Sequence, residues 1–315
     1  MSLKFLHPRF WLIWLGITIL RLIVLLPWSW QMSIGSALGT LIYHVAPSRR
    51  KVSCVNLTIA FPALSTDEIT KLNKAHFISL GQSLMDSALS WWGSDSQIKK
   101  LTHFEGFEHF QKTKDEGRII LIGAHFNSME IGGRIFATKT PLHSVYRPHQ
   151  NELLEALVAK KRTQQYGKTI SKYNIRELIK SIKNGDAAWL ATDQNYRGKG
   201  SILVPFFGTD APTNPSTHRL SKMTRAKVVP VFTMRLMGKG KDKRKGYLVR
   251  FTPVLENFPS SDEFRDILQF NHILEEQIRE FPAQYLWSHK RYKHYSSENK
   301  DFYKDYLKNH KTACS

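Results

Sequence analysis

Cysteine is scarce in this chain: only Cys54 and Cys314 occur among 315 residues. They lie far apart and outside any paired spacing such as C-x-x-C, so the sequence supports neither a disulfide framework nor a thiolate metal site. Internal repeats and low-complexity linkers are also absent, which excludes a repeat array. A reducing compartment is therefore the expected environment.

Acidic residues are few relative to basic ones. The chain has 26 Asp and Glu against 46 Lys and Arg, a formal net charge of +20. Such a charge attracts polyanions, and three partners fit: nucleic acid, an anionic membrane, and an acidic protein or phosphorylated substrate. Nucleic acid is disfavoured, because no RRM, zinc-finger or helix-turn-helix signature is present. A hydrophobic content of 42% places the chain among globular proteins.

Long apolar runs are missing except at the N-terminus. There "FWLIWLGITILRLIVLL", residues 10–26, holds a single charge, Arg21, and ends at Pro27. Tryptophans near both ends and flanking basic residues are typical of an interfacial belt. Residues 1–45 are therefore predicted to be a membrane anchor with an interfacial helix, and the run itself a transmembrane helix or one lying in the interface.

Two alternatives for this run are a buried core helix and a cleaved signal peptide. The run is long for a signal, contains Arg21 and lacks a small-x-small cleavage site. An N-terminal anchor is the favoured interpretation.

Residues 46–315 are predicted to form one α/β domain. Strand patterns occur at 119–124, 187–193, 201–208, 227–236 and 246–255, and helical patterns at 69–92, 151–167, 174–185, 216–225 and 261–281. Their alternation predicts a mixed, mostly parallel central sheet with helices on both faces and functional groups at the carboxyl ends of the strands. The basic segment 238–246 joins two strands and is either a solvated loop or a docking patch for an anionic partner.

The stretch "RIILIGAHFNSMEIGG" carries the candidate chemistry. On one continuous helix His125 and Glu130 would be about 140° apart, so the pair requires a strand-to-helix turn. The helix start would favour a neutral imidazole, and Glu130 in the first turn could bend back to hold it. This arrangement suits deprotonation of an alcohol by His125. The alternative is a histidine bonded to a backbone carbonyl beside an ordinary first-turn acid.

The chain resembles a known family in these and four further segments: "VYRPHQNELLE", "ATDQNYRGKGSILVPFFGTDAPTNPST", "VVPVFTMR" and "FPAQYLWSHKRYK". Together they resemble the late acyltransferases of lipid A biosynthesis, the lauroyl and myristoyl transferases of the lysophospholipid acyltransferase superfamily. The resemblance implies that His125 is the base, that Glu130 orients it, and that Arg162 and Asp193 matter for activity. Arg147 is a secondary candidate for anion binding.

Arg162 could bind a phosphate or stabilise an oxyanion, and Asp193 could fix an arginine or a substrate hydroxyl. The resemblance further implies acyl carrier protein as donor, a Kdo-bearing lipid A precursor as acceptor, no metal and no cofactor. The expected location is the Gram-negative inner membrane, with the active site facing the cytoplasm. Guesses for an acyl groove are Phe206, Phe207, Met223, Met234 and Trp287.

Two rival functions stay open at this point. One is an acyltransferase that acts on a glycerophospholipid or another glycolipid. The other is a basic membrane adaptor without catalysis.

Overall fold

The computed structural model describes residues 3–198, 200–238, 242–293 and 302–309. Its α-helices are α1 Trp11–Ile23, α2 Trp28–Val45, α3 Pro47–Ala60, α4 Thr66–Trp92, α5 Asp95–Lys100, α6 Phe107–Asp115, α7 Met129–Ala137, α8 Glu152–Gln165, α9 Ile175–Lys183, α10 Ser216–Thr224, α11 Glu263–Glu280 and α12 Phe302–Asn309. Short 3-10 helices cover Leu3–Leu6, Pro8–Phe10 and Pro282–Gln284. The strands are β1 Thr102–Glu105, β2 Ile119–Gly123, β3 Leu142–Tyr146, β4 Gly167–Ser171, β5 Ala187–Ala191, β6 Ile202–Phe206, β7 Thr209–Thr213, β8 Lys227–Met237 and β9 Lys245–Phe251.

Seven strands form the central sheet, in the order β1-β9-β8-β2-β5-β3-β4. Every neighbouring pair is parallel except β8 and β9, which are antiparallel. Strands β6 and β7 form a separate antiparallel pair. The predicted mixed, mostly parallel α/β sheet is thus confirmed, although 201–208 belongs to the small sheet.

Helices cover both faces of this sheet. Alternate residues of a strand point to opposite faces. Ile120 and Ile122 of β2 belong to one apolar cluster, which includes residues of α9, α10 and α11. Ile119 and Leu121 belong to another, which includes residues of α4 and α7. Strand β2 is therefore buried on both sides, as its continuous apolar sequence predicts.

Asparagine caps set two helix starts that the sequence predicts. The Asn151 side chain accepts hydrogen bonds from the backbone N–H groups of Leu153 and Leu154, and that of Asn174 accepts one from Glu177. The helical pattern at 69–92 is also confirmed, since α4 covers it. On α3, Cys54 is buried.

The N-terminal apolar run is shorter as a helix than predicted. Helix α1 has 13 residues and ends at Ile23, whereas a span needs about 20. Among the described helices, none combines the length and hydropathy of a membrane span. The transmembrane helix expected for this run is thus not found. Most of α1 remains exposed, and its exposed large apolar side chains are Trp11, Leu12, Leu15, Ile19 and Leu22.

Helices α2 and α4 cross at direct backbone contact. A Cβ atom added at Gly81 would lie 2.2 Å from the Gly35 carbonyl oxygen and 2.3 Å from the Gly39 nitrogen. Only glycine fits this crossing, so the small residues of α2 serve helix packing.

A buried ion pair joins this helical layer to the sheet. Arg235 of β8 pairs with Asp86 of α4, and both side chains are at most 1% exposed. Asp86 also accepts a 2.6 Å hydrogen bond from the Tyr247 hydroxyl, and the Gln82 side chain accepts one from Arg235. The pair is therefore fixed by several hydrogen bonds as well as by charge.

Candidate active site

The candidate site lies at the carboxyl ends of the parallel strands, as predicted. His125 follows β2 and Asp193 follows β5, and these strands are neighbours with Gly123 opposite Ala191. The next strand, β3, is followed by Arg147. A cavity of about 790 Å³ opens along this edge, with His125, Glu130, Arg147 and Arg162 in its lining.

His125 and Asp193 form a close pair. The Nδ1 atom of His125 lies 2.7 Å from Oδ1 of Asp193, and the backbone N–H of His125 donates to Oδ2 at 3.0 Å. The imidazole is 24% exposed, whereas the carboxylate is 1% exposed. One buried carboxylate therefore holds both the ring and the backbone of His125.

The charges of this pair define the tautomer. Burial would raise the pKa of Asp193, but the charge and hydrogen bonds of His125 and the charge of Arg291 lower it to about 2. An ionised carboxylate only accepts hydrogen bonds, so Nδ1 of His125 carries the shared proton and Nε2 keeps its lone pair. Burial of His125 alone would lower the pKa of its imidazole. The charge and hydrogen bond of Asp193 outweigh burial, so the pKa of His125 is raised.

A C-terminal segment holds the histidine loop in place. The Gln284 carbonyl accepts from the Asn127 N–H at 2.7 Å, and the Leu286 N–H donates to the His125 carbonyl at 3.0 Å. The guanidinium of Arg291, from the same segment, is buried and adds positive charge near Asp193. This role of Arg291 was not predicted, although the residue belongs to the segment "HKRYK" of the resemblance.

His289 lies in the same segment. Its Nε2 atom accepts a 3.1 Å hydrogen bond from the Asn195 N–H. Burial lowers its pKa to about 4, with the charges of His125 and Arg291 acting in the same direction against Asp193. His289 is therefore neutral near pH 7.

In the described residues, no cluster of three or more His, Cys, Asp or Glu could hold a metal ion.

Glu130 contacts a different set of residues from the one predicted. Its carboxylate accepts from Arg162 Nε at 3.1 Å, from Trp91 Nε1 at 2.8 Å and from the Tyr166 hydroxyl at 2.9 Å. Burial would raise the pKa of Glu130, but Arg162 and these hydrogen bonds lower it. The predicted contact between Glu130 and His125 is thus wrong: the carboxylate on the ring is that of Asp193.

Comparisons with known proteins agree with the sequence resemblance. The family model of the bacterial lipid A biosynthesis acyltransferases matches residues 1–294. The chain belongs to this family. It is 34% identical over 294 residues to the lipid A biosynthesis palmitoleoyltransferase of Escherichia coli (strain K12), covering 93% of this chain and 94% of that protein. It is 33% identical to the lauroyltransferase of the same organism, with the same coverage, and 25% identical to its myristoyltransferase over 90% and 87% of the two chains.

In this member of the family, the cavity extends into the apolar core beside α7. The apolar side chains there are Leu121, Phe136, Leu142, Trp189, Val231 and Val249. The glycines after Glu130 allow close packing, since a Cβ atom on Gly132 would lie 2.1 Å from Thr233 Oγ1. None of the five guessed groove residues lines this cavity; Phe206, Met234 and Trp287 instead belong to the core on the other face.

Proposed function

We propose that the protein is a membrane-bound enzyme that moves a fatty acyl chain from acyl carrier protein to a hydroxyl group of a Kdo-bearing lipid A precursor. The observation that carries this proposal is the His125–Asp193 pair, whose histidine lines a cavity with an apolar arm. A base that faces solvent-accessible space beside an apolar slot fits an alcohol acceptor and a long-chain acyl donor. The names of the relatives, three lipid A acyltransferases, support the same chemistry.

His125 is the general base of the proposed reaction. Its Nε2 atom takes the proton of the acceptor hydroxyl while the oxygen attacks the thioester carbonyl of the donor. The resulting tetrahedral intermediate collapses, the carbon–sulfur bond breaks, and the sulfur takes the proton back from the imidazolium. Asp193 keeps Nδ1 protonated and stabilises the imidazolium while it exists.

Arg162 and Glu130 form the second part of the proposed site. Arg162 uses Nε and Nη2 to bind Glu130, and its Nη1 has no hydrogen-bond partner in the described part of the chain. A guanidinium fixed in this way is preorganised, so it can stabilise the oxyanion or bind a substrate phosphate without first reorienting. Glu130 is then a positioning residue for Arg162, and Arg147 is an exposed contact for substrate anions.

The apolar arm beside α7 is the proposed slot for the donor acyl chain. We expect Val231→Phe to shift the preference toward shorter chains and Val231→Ala toward longer ones, because Val231 lines the arm. A change of about tenfold in the product ratio is expected when two acyl carriers of different length compete, read by mass spectrometry.

Val229 provides the control for this prediction. It lies two residues earlier on the same face of β8 and does not line the cavity. Val229→Ala should therefore leave the product ratio unchanged. Equal shifts in the Val229 and Val231 variants would contradict the assignment of the slot.

Membrane attachment is proposed through α1. Its exposed face carries five large aliphatic or aromatic side chains over 13 residues, and the basic residues Lys4 and Arg9 precede it in the sequence. A helix of this kind binds in the interface, with its apolar side chains among the lipids. We place the enzyme at the inner membrane of a Gram-negative cell with its site facing the cytoplasm, where acyl carrier protein is available.

The test is mass spectrometry of two acceptors offered together. Wild-type protein with acyl carrier protein loaded with a fatty acid should add one acyl mass to a Kdo-bearing lipid A precursor. A lysophospholipid in the same tube should remain unmodified. Acylation of the lysophospholipid alone would favour the glycerophospholipid rival, and no acylation of either acceptor would favour the non-catalytic adaptor.

A further inference from the structure

An exposed surface segment borders the cavity at the edge of the sheet. Residues 172–176, "KYNIR", follow the edge strand β4, and all five are exposed. Tyr173 is 73% and Ile175 48% exposed. Residues 172–175 also line the cavity. We call residues 172–176 the β4 rim.

The β4 rim is positively charged. Lys172 and Arg176 are exposed within it, and Arg147, also exposed, lines the same cavity. The nearest carboxylate in sequence, Glu177, is bound by Lys168 at 2.6 Å and by the Asn174 side chain at 2.6 Å. The rim therefore combines excess positive charge with two exposed apolar side chains, which suits an acidic partner that has an apolar patch of its own.

The rim and the proposed membrane surface lie on opposite faces of the sheet. Leu178 and Ile182 of α9, the helix that begins within the rim at Ile175, pack in the cluster with Ile120 and Ile122. Val24, directly after α1, packs in the cluster of the other face. A lipid acceptor approaching from the side of α1 would leave the β4 rim free for a soluble partner.

Resting on the proposed function, we infer that the β4 rim is the docking surface for the acidic carrier protein that brings the acyl chain. His125 follows β2, and the rim follows β4, three strand positions away in the sheet. This separation is about 14 Å at the usual spacing between strands. The thioester must therefore be delivered on an extended arm along the cavity, while the carrier itself stays at the rim.

The experiment compares a charge-reversed rim with a matched control. The variant is Lys172→Glu with Arg176→Glu, and the control is Lys180→Glu with Lys183→Glu, which makes the same change in net charge on exposed residues of α9 outside the cavity lining. Each protein receives the same acyl chain either on acyl carrier protein or on free pantetheine, with the acceptor in detergent micelles.

The rim variant should lose about tenfold in kcat/KM with the carrier-bound donor, because a charge repulsion slows encounter and weakens docking. Its kcat/KM with acyl-pantetheine should change by less than about twofold, and the control should match wild type with both donors. Added salt should weaken the wild-type reaction with the carrier more than that of the rim variant.

Five results would overturn the inference. Equal losses of kcat/KM with both donors in the rim variant would show that the rim acts in the reaction itself. Unchanged kcat/KM with both donors would show that the rim does not bind the carrier. Loss of binding to anionic phospholipid vesicles in the rim variant, with normal carrier kinetics, would assign the rim to the membrane. Wild-type transfer from acyl-pantetheine but not from the carrier would overturn the inference while acyl transfer stands, and transfer from neither would overturn the proposed function as well.

Discussion

Asp193→Asn is expected to lower kcat for acyl transfer by roughly 10³- to 10⁴-fold, close to the loss expected for His125→Ala. An asparagine side chain fits the same space, but its amide can donate to Nδ1 of His125, which the carboxylate cannot do. The proton then moves to Nε2, and the base is blocked although the geometry is kept. The measurement is single-turnover acyl transfer followed by mass spectrometry.

Glu130→Gln is the matched control for this prediction. It also removes one charge from a largely buried carboxylate, but Glu130 binds Arg162 and does not contact the imidazole. We expect a smaller loss of kcat and no shift in the acidic limb of the pH profile, which is set by the pKa of His125. If Glu130→Gln removed as much activity as Asp193→Asn and moved the pH profile as far, the assignment of the two carboxylates would be reversed.

The pH profile separates a role in catalysis from a role in folding. The base must be unprotonated, so activity is lost as the pH falls through the pKa of His125. That pKa is raised above its ordinary value of 6.5, because the charge and hydrogen bond of Asp193 outweigh burial. In Asp193→Asn only burial remains, and the acidic limb should move to lower pH. An unchanged limb would show that Asp193 does not act on His125.

The sequence predicted the position of the site better than its contacts. His125 was expected after a buried strand, and it is there, because a continuous apolar run marks such a strand. Its partner was assigned to Glu130, five residues away, since a local spacing can be read directly. Asp193 is 68 residues away from His125. The contact depends on β2 and β5 being neighbours, and strand order is set by the packing of the whole sheet.

Short polar strands account for the other misses. β3, β4 and β7 contain lysine, histidine, threonine or proline among few apolar residues, and β3 and β4 lie at or next to the edge of the sheet, where burial leaves less of a pattern. The β4 rim follows β4 and was not predicted because the polar sequence of β4 gives no clear strand pattern. For the N-terminal run the prediction of a transmembrane helix was wrong for a different reason. The run is as apolar as its composition indicates, but α1 ends at Ile23, before the apolar residues end.

The largest expected effect on stability is at the buried pair of Asp86 and Arg235. Asp86→Leu should lower the free energy of unfolding by about 3–5 kcal/mol, because it leaves a buried guanidinium without its counterion. It also removes the acceptor of the Tyr247 hydroxyl. Chemical denaturation followed by tryptophan fluorescence measures this change. An exposed pair serves as the control: Glu116→Gln, which removes the partner of Lys227, should leave the denaturation midpoint unchanged.

The double variant Asp86→Leu with Arg235→Met distinguishes loss of a counterion from loss of packing. Both charges are then absent, no buried ion needs compensation, and much of the stability should return. If the double variant were as unstable as Asp86→Leu alone, the cost would lie in packing or in the Tyr247 hydroxyl rather than in the charge. Recovery would instead show that the cost of Asp86→Leu comes from the buried Arg235 guanidinium left without its counterion.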